Sequence, residues 1–439
     1  MYYKELKRKI LARKATISVI GLGYVGLPLS CEFASRGFRV IGIDLDETRI
    51  RSIAEGTSYI LDVPSQQVKS FVSAGSLRAE GTFDVLKEAD AIIICVPTPL
   101  GKTREPDISY ILSATEHISR WLRKGQLIVL ESTTYPGTTE EIILPMLSQK
   151  GYTVGRDFFL AFSPERVDPG NTEFPPHKIP KVVGGVTAHC SRVAYTLYHS
   201  IIEEVIAVST PRTAELVKLL ENTFRSVNIA LVNEVALMCN KLGADVWEVI
   251  RAAGSKPFGF MPFYPGPGLG GHCIPIDPVY LTWKSRLNGY TPKFIELAGE
   301  INQQMPSYVF SRIQDSLNLR GKSLKRSKIL VIGVAYKRNV SDTRESPALE
   351  IMNLLLAKGA KVEYHDPYVP HLTVHNENKK SVSLTREELR KYDCVVVITD
   401  HSSIDYNSIV KGSKLIIDTR NALSTYTKIK RPSKKVVKL

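Results

Sequence analysis

A chain of 439 residues is too long for one hydrophobic core, and 43% apolar against 23% charged residues excludes a disordered or fibrous protein. The net charge of +14 (58 Lys and Arg against 44 Asp and Glu) makes the surface basic, which suits a phosphorylated metabolite, a nucleic acid or an anionic membrane without choosing among them. Six cysteines without short paired spacing exclude a zinc finger or a disulfide framework, and no uncharged apolar run reaches the ~18 residues of a membrane span.

The opening MYYKELKRKILARKA is charged and lacks the apolar centre of a signal peptide, so a soluble, cytoplasmic protein is expected. Thr16 to Ile20 is a short β-branched run, followed at once by Gly21-Leu22-Gly23-Tyr24-Val25-Gly26. A helical pattern from Pro28 to Arg36 stops at Gly37, and a second strand, Arg39 to Ile43, ends on Asp44. Strand, glycine turn, helix and acid in this order read as a dinucleotide-binding unit, with a tight turn that holds no ligand as the alternative. Its glycines admit a pyrophosphate to the helix N-terminus, and Asp44 accepts from the adenosine ribose. An acid there repels a 2′-phosphate and favours NAD over NADP; Arg49 and Arg51 nearby pull the other way, and Tyr24, Val25 and Arg49 are counted with the cofactor residues.

Further strands are expected at Ala91 to Val96, Leu127 to Leu130 and Phe158 to Phe162. Each runs into a polar loop at its carboxyl end, where ligands of open α/β sheets lie. That makes Thr98 and Thr133 candidates to touch nicotinamide or substrate, while ordinary turn chemistry accounts equally well for any one of these residues. Thr213 to Leu242 is apolar at helical spacing and closes at Gly243, a helix of about 45 Å suited to bridging domains or subunits. Lys218 and Asn222 share one of its faces.

The stretch from Gly266 to Trp283, GPGLGGHCIPIDPVYLTW, places Cys273 after a glycine-rich run and four residues ahead of Asp277. Glycines at 266, 268, 270 and 271 are expected to turn the backbone at positive φ and lie close against a ligand, and a cysteine presented this way reads as a nucleophile. A zinc site from His272, Cys273 and Asp277 is the rival, but adjacent ligands in so tight a loop rarely converge on one metal, and none is expected. A second α/β unit begins at Lys328 to Ile332, with a helix opening at Ser346-Pro347 and strands at Lys361 to Tyr364, Cys394 to Ile398 and Lys414 to Ile417. Asp366 takes the place that Asp44 holds in the first unit, but the turn Gly333-Val334-Ala335-Tyr336-Lys337 lacks the three glycines and should not grip a dinucleotide in the same way. Lys337 and Arg344 offer cations to a phosphorylated ligand. The cationic tail, Lys428 to Lys438, reads as a solvated terminus.

With GLGYVGLPLS, VPTP, ESTTYPGTT, SPERVDPGN, ELVKLLENTFRSVNIALVNE, GPGLGGHCIPIDP and VAYKRNVSDTRESPALEI in this order, the chain resembles the UDP-glucose/GDP-mannose dehydrogenase family from Ile17 to about Leu423. The resemblance implies two Rossmann-like doubly wound domains joined by a central helical region with a long helix: residues 1–210 for NAD, 211–318 for dimerisation and the cysteine loop, 319–439 for the UDP-sugar. It implies a four-electron, NAD-dependent oxidation of a sugar 6-hydroxymethyl group to a carboxylate for surface polysaccharide biosynthesis, in a homodimer or higher homo-oligomer. Cys273 is then the nucleophile, Lys218 and Asn222 stabilise the oxyanion, Asp277 with Thr133 orients or activates the water, and Glu165 assists near the nicotinamide and the water. Glu165, Arg166, Lys218, Asn222, Gly270, Lys337 and Arg344 form the substrate set. SPER together with GLGGHCIPIDP is most similar to the enzymes of UDP-N-acetylglucosamine, with UDP-N-acetylmannosamine and UDP-glucose as alternatives; Pro169 stands where some UDP-glucose enzymes carry an acid. A non-enzymatic NAD sensor on nucleic acid would need a recognition helix or a basic stripe interleaved with aromatics, and the sequence has neither.

Overall fold

The computed structural model describes residues 1–60, 62–101, 103–166, 176–427 and 434–439. The chain divides into two compact units, one of residues 1–221 and 279–290, the other of residues 222–278 and 291–439.

In the first unit, among the described residues, eight strands form one sheet: β1 (Thr16–Ile20), β2 (Arg39–Ile43), β3 (Leu77–Glu80), β4 (Ala91–Ile94), β5 (Leu127–Leu130), β6 (Phe159–Phe162), β7 (Lys181–Gly185) and β8 (Val205–Val208). Their order is β3-β2-β1-β4-β5-β6-β7-β8, the dinucleotide-binding order extended by two strands. The apolar runs form strands because both faces of the sheet are covered. Successive residues alternate between two cores: Ile17, Val19, Ile93, Leu127 and Val129 enter one, and Ile20, Ile92, Ile94, Ile128 and Leu130 the other. Pairing is parallel except between β6 and β7, where Ala161 faces Gly185 and Phe162 faces Gly184. The charged N-terminal extension is a helix, Tyr2–Leu11, that buries Leu6 and Ile10 in the first core and ties Lys9 to Asp90 at 2.9 Å.

The long helix runs Pro211–Leu242, 32 residues and so about 48 Å, and the boundary between the units falls within it. In the second unit β9 (Lys328–Ile332), β10 (Lys361–His365), β13 (Cys394–Val397), β14 (Ile416–Asp418) and β15 (Val436–Lys438) form a parallel sheet ordered β10-β9-β13-β14-β15. An antiparallel hairpin of β11 (His371–Val374) and β12 (Glu377–Lys380) stands apart from it. The helix Pro347–Ala357 opens as expected, with Ser346 accepting from the Ala348 N–H and proline at its first position.

The tail corrects an expectation. Lys428 to Ser433 lie outside the described residues, but the segment beyond them is not a solvated terminus. Val436–Lys438 pairs in parallel with β14, and Leu439 is buried in the core. Two valines among lysines suit an edge strand, where β-branched side chains pack and lysines deter pairing with another chain. Lys438 also meets Asp245 at 2.8 Å.

Candidate active site

The first turn is cut for a dinucleotide. Gly21 sits at φ +91°, and a Cβ on it would stand 2.5 Å from the Cys95 carbonyl oxygen. A Cβ on Gly26 would fall 1.8 Å from the Gly21 oxygen, so only glycine lets the helix Gly26–Ser35 pack so close. Gly23 faces open space, with the Arg49 guanidinium the nearest group at 3.9 Å. Tight turn, open approach and close packing are the three jobs of this fingerprint, so the residues present fit NAD. The near-buried Asp44 follows β2, held by the N–H groups of Leu22 (2.7 Å) and Asp46 (3.0 Å). Arg49 pairs with Asp44 at 3.2 Å and with Asp46 at 3.5 Å, which spends its charge on those acids. Tyr24 is exposed, and Val25 half-buried.

The loops after β4 and β5 differ in access. Thr98 is buried, and its carbonyl accepts from the Tyr280 hydroxyl at 3.0 Å, so this residue is part of the packing. Thr133 is half-buried, between buried Ser132 and Thr134.

Beyond β6, Glu165 belongs to a cluster that sequence reasoning missed. The Lys181 ammonium lies 2.9 Å from Glu131 Oε2 and 3.5 Å from Glu165 Oε2, and the Tyr198 hydroxyl donates to Glu131 Oε1. Burial would lower the pKa of Lys181, but Glu131 and Glu165 outweigh it and raise the value, so the ammonium stays charged. Burial pushes Glu131 upward against the pull of Lys181. Lys218 is buried on the long helix and donates to the Glu165 backbone carbonyl at 2.6 Å. Arg166 is engaged by Glu221 at 2.7 Å and the Pro180 carbonyl at 2.5 Å. The rest of SPERVDPGN, Val167 to Asn171 with Pro169, lies outside the described residues. A cavity of about 50 Å³ is lined by Tyr24, Val25, Glu165, Arg166, Lys181 and Tyr198 among others, joining the glycine turn to this cluster.

In the second unit Cys273 is exposed, as a nucleophile must be. Its carbonyl accepts from the N–H groups of Ile276 (3.1 Å) and Asp277 (2.8 Å), closing the turn that presents the thiol. Asp277 is buried and accepts from the Asn222 amide at 2.6 Å. The glycine run departs from expectation: Gly268 and Gly271 have positive φ, but Gly266 and Gly270 do not. Its close neighbours are the chain's own groups, since a Cβ on Gly270 would meet Tyr336 at 2.7 Å and one on Gly266 would meet Arg420 at 2.6 Å. The run therefore lets the cysteine loop pack against the C-terminal domain. A buried amide chain anchors its start: Asn302 donates to the Ser226 carbonyl (3.0 Å), Asn233 to Asn302 (2.9 Å), and the Gly266 N–H to Asn233 (2.9 Å).

Lys337 and Arg344 follow β9, where the loop also ties back to the cysteine run through the Gly271 N–H and the Arg344 carbonyl at 3.1 Å. The Arg344 guanidinium meets Asp342 at 2.7 Å. Two cations in this region escaped the sequence reading: Arg338, paired with Asp400 and stacked 5.5 Å over the Tyr426 ring, and Arg420, whose Nε donates to the Ile398 carbonyl at 3.0 Å. No spacing signal marks them, because each is defined by partners more than 20 residues away.

A Rossmann domain fitted for NAD and a second doubly wound domain with an exposed cysteine define an NAD-dependent dehydrogenase of two α/β domains. The chain belongs to the UDP-glucose/GDP-mannose dehydrogenase family: its NAD binding domain matches residues 15–202, its central domain 212–304 and its UDP binding domain 330–425. The chain is 39% identical over 407 residues to a UDP-N-acetyl-D-mannosamine dehydrogenase of Escherichia coli K12, covering 88% of this chain and 94% of the relative. It is 35% identical over 415 residues to a UDP-N-acetyl-D-glucosamine 6-dehydrogenase of Salmonella typhi, covering 93% and 96%. The solved UDP-D-ManNAc dehydrogenase of Pyrococcus horikoshii superimposes with a TM-score of 0.87 at 34% identity, over 96% of this chain and 98% of that one. The protein is thus an oxidoreductase that uses NAD on a UDP-sugar. No helix among the described residues is long and apolar enough to cross a membrane.

Proposed function

We propose that the chain oxidises the 6-hydroxymethyl group of a UDP-N-acetylhexosamine, UDP-N-acetylglucosamine first among the epimers, to the uronic acid through a covalent intermediate on Cys273. The observation that carries this reading is the exposed thiol on a turn whose next buried carboxylate, Asp277, is fixed by Asn222. Gly21, Gly23 and Gly26 would cradle the NAD pyrophosphate and Asp44 the ribose; bound NAD supplies the acceptor for the hydride that leaves C6 in each of two oxidations.

The chain's own residues do the rest. A cysteine is needed because the aldehyde formed midway would otherwise escape. Cys273 Sγ bonds to the aldehyde carbon while the oxygen takes up the thiol proton, giving a thiohemiacetal. Oxidation of that adduct leaves a thioester. Water then bonds to its carbon, the C–S bond breaks, and the thiol is regenerated as the acid departs. Lys218 supplies a cation for the oxyanion, and Asn222 supports it while holding Asp277 in place. Asp277, with Thr133, orients the water, and Glu165 accepts its proton. Lys337, Arg344, Arg166 and Gly270 serve the UDP-sugar.

The 39% identity to a mannosamine enzyme favours the manno epimer as the second reading. NADH absorbance with UDP-N-acetylglucosamine, UDP-N-acetylmannosamine, UDP-N-acetylgalactosamine and UDP-glucose decides it: the gluco epimer should give the highest kcat/KM, with two NADH per sugar. A higher value for the manno epimer would transfer the substrate assignment, and salt-dependent DNA binding without turnover would revive the regulator. We also infer a homodimer or higher oligomer, since Phe224, Leu231, Met238 and Leu242 leave an apolar stripe exposed along the long helix, and a cytoplasmic location for an enzyme of this family.

A further inference from the structure

The large sheet is parallel apart from β6 and β7, and that exception has a chemical result. The register sets Ala161 opposite Gly185 and Phe162 opposite Gly184; carried three residues on, it sets Glu165 opposite Lys181. β5 runs beside β6, so the residue after it, Glu131, arrives in the same place. Lys181 is thereby fixed from three sides: Glu131 at 2.9 Å, Glu165 at 3.5 Å, and the Tyr198 ring 5.1 Å from its ammonium. Both oxygens of Glu131 are used, one by Lys181 and one by the Tyr198 hydroxyl, so Glu131 is an anchor rather than a base. Both Glu165 oxygens are likewise engaged, one by the Arg166 N–H at 2.9 Å and the other by Lys181, but unlike Glu131 its side chain borders the cavity beside the glycine turn.

A buried ion pair is a poor device for stability, because removing two charges from water costs about as much as their attraction returns. Such a cluster at a cavity wall is better explained by what it does to the one of its carboxylates that lines the cavity, Glu165, beside Lys181 and Tyr198. We propose that Lys181 is the positioning residue of the reaction: anchored by Glu131 and Tyr198, it holds the Glu165 carboxylate charged and aimed along the cavity wall. Among the described residues, the groups near Glu165 include Lys181 on β7, Glu131 after β5, Cys95 after β4 and Lys218, whose ammonium bonds the Glu165 carbonyl. Lys181 meets the Glu165 carboxylate itself, whereas Lys218 meets the backbone carbonyl. This inference rests on the reading of Glu165 as proton acceptor.

The test compares the pH dependence of kcat in the full-length protein for wild type, Glu165→Gln, Lys181→Arg and the double variant Glu131→Gln/Lys181→Met, which leaves no unpaired buried carboxylate beside Tyr198. Thermal melting confirms that each is folded. Glu165→Gln should lower kcat by about 10²-fold or more and abolish the acidic limb of the profile. Glu131→Gln/Lys181→Met should move that limb up by about one unit or more, and Lys181→Arg should restore it. Adding Glu165→Gln to Glu131→Gln/Lys181→Met should lower kcat no further than Glu165→Gln alone, since both act through one carboxylate. An unmoved limb, or losses that multiply, would overturn the role of Lys181 while leaving Glu165 intact. A Glu165→Gln variant that keeps the acidic limb would instead refute the reading beneath it.

Discussion

The two doubly wound domains begin alike and diverge at one acid. β1, a turn, β2 and Asp44 in the first are matched by β9, a turn, β10 and Asp366 in the second. Asp44 is held by two backbone N–H groups and Arg49. Asp366 is consumed by its own domain: Oδ2 accepts from Val334 N, Ala335 N and His401 Nε2, and Oδ1 from Tyr368 N and Val369 N, all within 3.1 Å. The Asn339 N–H donates to His401 Nδ1, which fixes the tautomer that gives Nε2–H to Asp366. One layout thus serves two ends. Where glycines leave room at the turn the acid is held by two N–H groups and Arg49, and where Val334 and Ala335 stand, five donors staple it to its own domain.

The contrast can be sharpened by substitution. The largest effect belongs to the first domain's side of the long helix: Lys218→Ala should cost about 10²–10³ in kcat, the toll of one oxyanion donor. A loss confined to KM would show that this cation only binds. Next, Asp44→Ala should raise the KM for NAD about tenfold and leave the UDP-sugar KM alone, whereas Asp366→Asn should leave both near wild type and lower the melting temperature. A change in NAD affinity from Asp366→Asn would break the comparison outright. Arg344→Ala should raise the KM for the UDP-sugar several-fold more than that for NAD; equal effects would place it elsewhere. The smallest effect is a pH dependence. Burial alone would raise the Asp366 pKa, yet His401 and the backbone donors hold it below the usual carboxylate value. Its contribution to folding is therefore complete above about pH 4 and is lost as pH falls through the lowered value, a slope that Asp366→Asn should remove from acid melting curves.

What the sequence showed was what local chemistry determines. The glycine fingerprint, Asp44, the strand Lys328–Ile332 and the exposed Cys273 each declare themselves within a few residues, and the structure has them where they were expected. Long-range pairings did not declare themselves. Lys181 carries no local signal, and only the antiparallel register of β6 and β7 reveals its carboxylates. β3, β7 and β8 were overlooked; β3 and β8 are partly exposed, while β7 is buried throughout and neither longer nor shorter than strands that were read. Thr98, a candidate from its place after β4, is buried, and its carbonyl accepts from Tyr280, a residue 182 positions away that no local pattern reveals. Of the glycines before Cys273, Gly266 and Gly270 lack the positive φ expected of them, and Tyr336 and Arg420, distant in sequence, lie close beside Gly270 and Gly266.

The account rests on sulfur chemistry at residue 273, and NADH counting in Cys273→Ala tests it most directly. With limiting UDP-N-acetylhexosamine and excess NAD, wild type should release two NADH per sugar and the uronic acid, while Cys273→Ala should fail to form acid and fall short of two. Two NADH per sugar from Cys273→Ala, at any rate near wild type, would contradict the account.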